Sequence, residues 1–131
     1  MVRVAIVGLG WWGRIIAGLL GGSTKLAAVK GIDPDPRAAE FARAQGLAHG
    51  TDLAEALADP AVDAVVLCTP HSLHCQQIVA AANARKHVFC EKPLSLSRAE
   101  VLRAIEAVNA NGVQLAVGHE KRFEPPLLEI A

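Results

Sequence analysis

Apolar runs alternate with amphipathic stretches along this 131-residue chain. Runs rich in Val, Ile, Leu and Ala predict strands, and stretches with an apolar stripe at helical spacing predict helices. The predicted strands cover residues 2–7, 26–32, 63–68, 87–90 and 113–118, with a weak one at 47–49. The predicted helices cover residues 12–21, 36–45, 52–58, 72–85 and 97–111. This alternation predicts an α/β fold, a doubly wound parallel sheet of about six strands with helices on both faces.

Capping residues mark the ends of two of these helices. Ser97 followed by Glu100 has the spacing of a capping box, and Asp52 followed by Glu55 offers a second box in which Asp replaces Ser or Thr. Gly112 follows the last predicted helix, where glycine readily adopts the left-handed conformation that ends a helix. The predicted ends therefore agree with the apolar periodicity.

The composition indicates a single domain with an aliphatic core. Apolar residues make up 52% of the chain and aromatic residues only 4%, which suits helices packed on a buried parallel sheet. Thirteen basic residues balance thirteen acidic ones, so neither nucleic acid nor a membrane is an expected partner. No apolar run approaches the roughly 18 residues of a membrane span.

The cysteines and the N-terminus favour a cytoplasmic protein. Cys68, Cys75 and Cys90 are odd in number and lack CxxC spacing, so we expect reduced, buried thiols and no metal site. The apolar N-terminal stretch is accounted for by a strand and a loop, which argues against a signal peptide.

A glycine-rich loop follows the first predicted strand. Gly8-Leu9-Gly10-Trp11-Trp12-Gly13 opens the first helix, and Asp33 ends the second strand. This is the full context of the dinucleotide fingerprint, since the glycines permit a tight turn, close approach of a pyrophosphate and close packing of the helix. The helix N-terminus attracts phosphate, and Asp33 is placed to accept the hydroxyls of the adenosine ribose.

Polar residues also follow the other long strands. Thr69-Pro70-His71 and His74 come after the strand at 63–68, Glu91-Lys92-Pro93 after 87–90, and His119 after the last strand. In an open parallel sheet, ligands bind beyond the carboxyl ends of the strands. We therefore predict that these residues meet at one edge, which is the site.

These motifs together resemble the Gfo/Idh/MocA oxidoreductases, and the resemblance covers the whole chain. The matching residues are the Gly8–Gly13 loop, Asp33 with Pro34, Thr69-Pro70-His71 with His74, Glu91-Lys92-Pro93 and Arg122-Phe123. The resemblance implies a nicotinamide-dependent oxidoreductase of sugars, polyols or related hydroxyl and carbonyl compounds. It also implies a homo-oligomer whose small-molecule substrate is bound mostly by a second α/β domain.

The expected domain organisation follows from the same resemblance. Residues 1–131 form the dinucleotide-binding domain, and residues 120–131 lead toward the second domain, which is absent from this chain. Residues 125–130 look like the first turns of that domain's opening helix. Without the second domain, apolar surface around residues 123–130 should be exposed, so we predict self-association or a disordered C-terminal segment.

The predicted site residues carry distinct roles. Lys92 is the predicted catalytic residue, because the family uses this lysine near the reacting hydroxyl; the resemblance also suggests a cis peptide before Pro93. His74 is equally consistent with a structural role, and packing is favoured over pyrophosphate contact for the two tryptophans. The predicted cofactor-binding residues are Gly8, Leu9, Gly10, Trp11, Trp12, Gly13, Asp33, Thr69, Pro70, His71, His74, Glu91 and Lys92.

The acids after the second strand predict NAD as the cofactor in preference to NADP. Asp33 and Asp35 would both repel a 2′-phosphate, and Arg37 is the only nearby cation in the sequence.

Two other functions fit parts of the sequence. A non-catalytic NAD(H)-binding module or redox-sensing subunit would share the glycine loop but would not need Lys92. A methyltransferase would have no use for Glu91-Lys92-Pro93.

Overall fold

Six parallel strands form one sheet in the computed structural model, which describes residues 1–124. The strands are β1 (Val2–Val7), β2 (Leu26–Ile32), β3 (Ala48–Gly50), β4 (Ala64–Leu67), β5 (His87–Glu91) and β6 (Leu115–Gly118). Their order across the sheet is β3-β2-β1-β4-β5-β6. The helices are α1 (Trp11–Leu20), α2 (Arg37–Ala44), α3 (Leu53–Leu57), α4 (His71–Asn83) and α5 (Arg98–Asn111), and a 3-10 turn follows at Glu120–Phe123.

The helices cover both faces of this sheet. On β1, Val4 and Ile6 pack with residues of α1 and α2, whereas Ala5 and Val7 pack with residues of α3, α4 and α5. Alternate side chains of a strand point to opposite faces, so a run buried on both sides must be apolar throughout. The predicted doubly wound α/β fold is confirmed.

Two of the three predicted caps are confirmed. The Asp52 carboxylate accepts the N–H of Ala54 at 2.8 Å, and Glu55 accepts the N–H of Asp52 at 3.0 Å. Gly112 ends α5 in the left-handed conformation, with φ of 66°. The box predicted at Ser97 is wrong, because its side chain caps nothing. Ser95 lies closer to the acid, and its hydroxyl donates to the Glu100 carboxylate instead.

Most predicted boundaries agree with the observed ones within two residues. The helix predicted to reach residue 85 ends at Asn83, because Arg85 adopts a positive φ of 58°. The 3-10 turn was not predicted, since four polar or aromatic residues after a strand give no periodic signal.

An apolar pocket of about 320 Å³ lies away from the predicted site, near the amino ends of the strands. Its lining includes Val2, Leu26 and Ala64, and Leu19 nearby is 71% exposed. Phe123 is exposed as well. Self-association through the surface around residues 123–130 stays a prediction that is separate from this pocket, and the helix expected at 125–130 lies outside the described residues.

Within residues 1–124, no helix is both long and apolar enough to cross a membrane. The same residues contain no group of three His, Cys, Asp or Glu side chains able to hold a metal ion.

A charged contact ties the start of β1 to the residue before β4. The Asp63 carboxylate accepts the backbone N–H of Arg3 at 2.8 Å and two guanidinium N–H groups at 3.0 and 2.7 Å. These hydrogen bonds from Arg3 hold the pKa of Asp63 well below its usual range.

The lowered pKa predicts an acid-sensitive contribution to stability. A carboxyl whose folded pKa is depressed stabilises the fold above its unfolded pKa of about 3.9, and this is lost as pH falls through the folded value. We expect Asp63→Asn to lower the Tm near neutral pH, with the gap to the parent chain closing as the solution is acidified. Thermal denaturation over a pH series checks this, and a gap independent of pH would contradict it.

Candidate functional site

The glycine loop lies where the strand order changes direction. β1 is flanked by β2 and β4, and the loop leaves the carboxyl end of β1 between them. Gly8 has a positive φ of 90°, and its N–H donates to the carbonyl of Ile32 at 2.8 Å. A Cβ on Gly8 would lie 2.8 Å from the carbonyl oxygen of Cys68. The turn therefore requires glycine both for its backbone angle and for space.

Gly13 and Gly10 have opposite surroundings. A Cβ on Gly13 would lie 1.9 Å from the carbonyl oxygen of Gly8, because the first turn of α1 packs directly on the loop. A Cβ on Gly10 would meet no protein atom within 4 Å. Gly13 thus serves internal packing, whereas the open side of Gly10 leaves the backbone accessible to a ligand.

Among residues 1–124, the N-terminus of α1 has no protein partner of the usual kind. Gly10 is the N-cap residue, no side chain caps this end, and the first turn contains no acidic residue. The first backbone N–H groups of a helix have no partner within it, and they carry a partial positive charge. An anion can therefore bind here without displacing a protein carboxylate.

Asp33 follows β2 and faces this loop. Its carboxylate accepts the N–H of Leu9 at 2.7 Å and the N–H of Asp35 at 2.8 Å. Leu9 is 2% exposed, and its side chain fills the space over Gly31. The contact holds the glycine loop against the end of β2, so Asp33 supports the loop as well as lining the site.

Asp35 and Arg37 form an exposed ion pair beside Asp33, with 2.6 Å between Nη2 and Oδ2. Hydrogen bonds from Arg37 lower the pKa of Asp35 to about 2. Arg37 is not the only cation near Asp33, because Arg14 lines the same pocket as Asp33, Asp35 and Arg37. The Arg14 guanidinium lies 4.9 Å from the Phe41 ring centre, and its Nε donates to the carbonyl of Leu9 at 2.8 Å. Arg14 directly follows the glycine loop on the first turn of α1, so its place in the sequence could have indicated that it lies beside the site.

Three adjoining pockets surround the glycine loop. The pocket beside Asp35 and Arg37, here the Asp35 pocket, has a volume of about 710 Å³. The pocket beside Thr69 and Pro70, the Thr69 pocket, has a volume of about 520 Å³, and the pocket beside Glu91 and Lys92, the Lys92 pocket, has about 430 Å³. Gly10 and Asp33 line the first two, and Cys68 lines the last two. Most of the predicted site residues therefore gather around the glycine loop at one edge of the sheet.

The segment after β4 divides into lining and supporting residues. Thr69 and Pro70 line the Thr69 pocket, and the Thr69 hydroxyl donates to Gln77. His71 begins α4 and is exposed.

His74 has a supporting position. Its ring is 1% exposed, and its two nitrogens lie 2.9 Å from the carbonyl oxygens of Thr69 and Pro93. The structural alternative for His74 is therefore favoured over direct cofactor contact, because both nitrogens are occupied by backbone groups. The ring links the Thr69 segment to the Glu91–Pro93 segment.

Lys92 is the first residue after β5. The Lys92–Pro93 peptide is cis, as the resemblance suggested. Lys92 and Glu91 line the Lys92 pocket together with Glu120. The Lys92 ammonium lies 3.5 Å from the Glu120 carboxylate, and the two side chains are 50% and 45% exposed. Glu120 was not identified from the sequence, because only the pairing of β5 with β6 brings it near Lys92.

The two tryptophans occupy different environments at the start of α1. Trp11 is 76% exposed and lines both the Asp35 pocket and the Lys92 pocket, so packing against the sheet edge was the wrong expectation for it. Trp12 is partly buried, and the two ring centres lie 5.4 Å apart. The exposed indole of Trp11 is free to contact a ligand on either side.

Cys68 lines the site without being a reactive thiol. Burial, with a smaller effect of the nearby Glu91, raises the pKa of Cys68 to about 12. The thiol is therefore protonated at neutral pH and a poor nucleophile. Cys75 and Cys90 are buried, and all three cysteines are free, as predicted.

Comparisons with known proteins found matches over nearly the whole chain. The model of the Gfo/Idh/MocA oxidoreductase family, with an NAD-binding Rossmann fold, matches residues 2–119. A 4-carboxy-2-hydroxymuconate-6-semialdehyde dehydrogenase of Sphingobium is 47% identical over 90 residues, which are 68% of this chain and 29% of that protein. The scyllo-inositol 2-dehydrogenase (NAD(+)) of Bacillus subtilis is 41% identical over 128 residues, which are 95% of this chain and 37% of that protein.

A solved structure agrees with these sequence matches. The scyllo-inositol dehydrogenase of Lactobacillus casei with bound cofactor NAD(H) and scyllo-inositol superposes with a TM-score of 0.89 at 26% identity. The match covers 95% of this chain and 38% of that one. This chain therefore spans well under half the length of the proteins it matches.

Proposed function

Because the chain belongs to the Gfo/Idh/MocA oxidoreductase family, we propose that it is the dinucleotide-binding domain of a nicotinamide-dependent dehydrogenase. The proposed enzyme is cytoplasmic and acts on a sugar, polyol or related hydroxyl or carbonyl compound. A following domain supplies most of the substrate contacts. This organisation is supported by relatives named as dehydrogenases, of which the chain spans 29% and 37%.

The observation that carries the proposal is the open side of Gly10 at the uncapped start of α1. A pyrophosphate needs both backbone N–H donors and a residue without a side chain at the point of closest approach. Gly10 has no side chain and stands at the start of α1, where the unpaired backbone N–H groups lie. The contact of Asp33 with the Leu9 N–H fixes the loop that presents these groups. These residues fit a dinucleotide.

The other site residues would contact different parts of the cofactor. The Asp33 carboxylate would hold the adenosine ribose, and Thr69 and Pro70 would line the adenosine side of the cleft. When bound, the nicotinamide group supplies hydride transfer. Lys92 lies at the far side of the loop, where its ammonium would donate a hydrogen bond to a substrate oxygen and hold the proton that this oxygen gains or loses.

A binding experiment on this chain tests the proposal. Both tryptophans of the chain lie in the glycine loop, so NADH binding is expected to quench their fluorescence by energy transfer. Gly10→Ala should weaken NADH binding by about tenfold or more while leaving the Tm nearly unchanged, because its methyl group would meet no atom of residues 1–124 and would stand where the pyrophosphate is proposed to approach. Calorimetric titration provides an independent affinity.

Gly18→Ala is the matched control, since Gly18 also faces open space but lies on the outer part of α1. It should leave NADH binding unchanged. Equal binding by the Gly10→Ala variant and the parent chain, or no NADH binding by the parent chain, would contradict the proposed site.

The charges after β2 support NAD over NADP. The Asp33 carboxylate lies beside the glycine loop, and Arg37 is already paired with Asp35. Repulsion between Asp33 and a 2′-phosphate in a partly screened site, at about 1–4 kcal/mol, amounts to a preference for NAD of about fivefold or more. We predict tighter binding of NADH than of NADPH.

Asp33→Asn should lower the ratio of NADH affinity to NADPH affinity by about tenfold. The single amide oxygen can still accept the Leu9 N–H that supports the loop, whereas the Asp35 N–H loses its acceptor. Titrations of both cofactors with both proteins check the ratio. Equal affinities in the parent chain would contradict the predicted specificity.

A further inference from the structure

We propose that Glu120 is a positioning residue that holds the Lys92 ammonium at the mouth of the Lys92 pocket. The importance of this contact rests on the proposed catalytic role of Lys92, although the contact itself can be tested independently. Glu120 lies on the 3-10 turn, in the segment after the last strand, and its sequence position gave it no role.

The sheet brings the two residues together. β5 pairs with β6 in parallel, with Glu91 opposite Gly118, so the chain leaves both strands at the same edge. Lys92 is the next residue after β5, and Glu120 begins the turn two residues after β6. Their side chains meet at 3.5 Å between Nζ and Oε1. The contact therefore joins two segments whose bases are fixed by the sheet.

Glu91 does not replace Glu120 in this role. The Glu91 carboxylate lies over Gly118, where a Cβ would come within 2.8 Å of its Oε1. Among residues 1–124, Glu120 supplies the one carboxylate within 4.0 Å of the Lys92 ammonium. Glu91 directly precedes Lys92 at the end of β5, but Lys92 makes its ion pair with Glu120 on the turn.

The charge state of Glu120 supports the pairing. Its own backbone N–H and the Lys92 ammonium lower the pKa of the Glu120 carboxyl. The group is consequently ionised at neutral pH. Both partners are about half exposed, so a substrate oxygen can approach the ammonium while one side of it stays on Glu120.

The same turn contains a matched control. Lys121 and Glu124 form a second exposed ion pair, with 2.8 Å between Nζ and Oε1. Glu124 does not line the Lys92 pocket. Removal of its charge should therefore change Lys121 but not Lys92, unless a substitution loosens the entire turn.

Lysine acetylation rates provide the test. The chain is labelled with a trace of acetic anhydride at a fixed, mildly alkaline pH, and each lysine is quantified by mass spectrometry. Glu120→Gln should raise the rate at Lys92 by about two- to fivefold, the range expected for an exposed ion pair. The rate at Lys121 should rise less, because Glu124 affects this lysine more than Glu120 does. Glu124→Gln should give the opposite pattern, and Glu120→Asp should restore slow labelling of Lys92.

Salt distinguishes the ion pair from a change in shape. At about 1 M salt the screening length falls to about 3 Å, so the parent and Glu120→Gln chains should label Lys92 at similar rates. An unchanged Lys92 rate in Glu120→Gln, or an equal rise of both lysines in either variant, would overturn the proposal. If Lys92 responds as expected but its removal leaves turnover intact, the positioning contact stands and the catalytic role of Lys92 fails.

Discussion

Gly13→Ala is expected to destabilise the domain and abolish NADH binding together. The added methyl group would lie 1.9 Å from the carbonyl oxygen of Gly8. Gly8 cannot retreat easily, because its own Cβ position is 2.8 Å from the carbonyl oxygen of Cys68 and its N–H is bonded to Ile32. Relief of the clash requires α1 to move away from the loop, at a cost of about 3 kcal/mol.

Denaturant unfolding and NADH titration of the same preparation check this prediction. Gly18→Ala provides the comparison within α1, where alanine meets no protein atom and should stabilise the helix by about 0.5–1 kcal/mol. The pair separates a general effect of alanine from the contact at Gly13. Normal stability and NADH binding in the Gly13→Ala variant would show that the loop is less tightly packed than the structure indicates.

The contrast between Gly10 and Gly13 shows what the motif alone could predict. The spacing of the glycines, the strand before them and Asp33 after β2 indicated a dinucleotide loop, because each feature has a local cause visible in the sequence. The sequence also indicated different tasks for the two glycines. Only the three-dimensional structure shows that a Cβ on Gly13 would clash with the backbone of Gly8 and that one on Gly10 would lie within 4 Å of no atom of residues 1–124.

The residues that sequence reasoning missed depend on contacts between distant segments. Glu120 approaches Lys92 through the pairing of β5 with β6, and no local pattern reports that register. Ser95, two residues before the expected cap, makes the side-chain contact with Glu100 and accepts the N–H of Ser97. The fold class was predictable from apolar periodicity, whereas these contacts depend on how segments meet in three dimensions.

Removal of the Lys92 ammonium is expected to have the largest effect on chemistry. Lys92 projects from the end of β5 into a pocket that also includes Trp11 and Glu120. It stands apart from the contacts of Asp33 and Gly8 that hold the glycine loop. A group that moves a proton at the reacting oxygen contributes about 10²- to 10⁴-fold to the rate.

We therefore expect Lys92→Met to lower kcat by about 10²- to 10⁴-fold in the enzyme that carries this domain together with its substrate-binding domain. The affinity for NADH should stay nearly unchanged, because the loop contacts are intact. Lys121→Met is the control, since Lys121 is a neighbouring exposed lysine paired with Glu124, and it should retain full turnover. Undiminished kcat in the Lys92→Met variant would remove the catalytic assignment of Lys92.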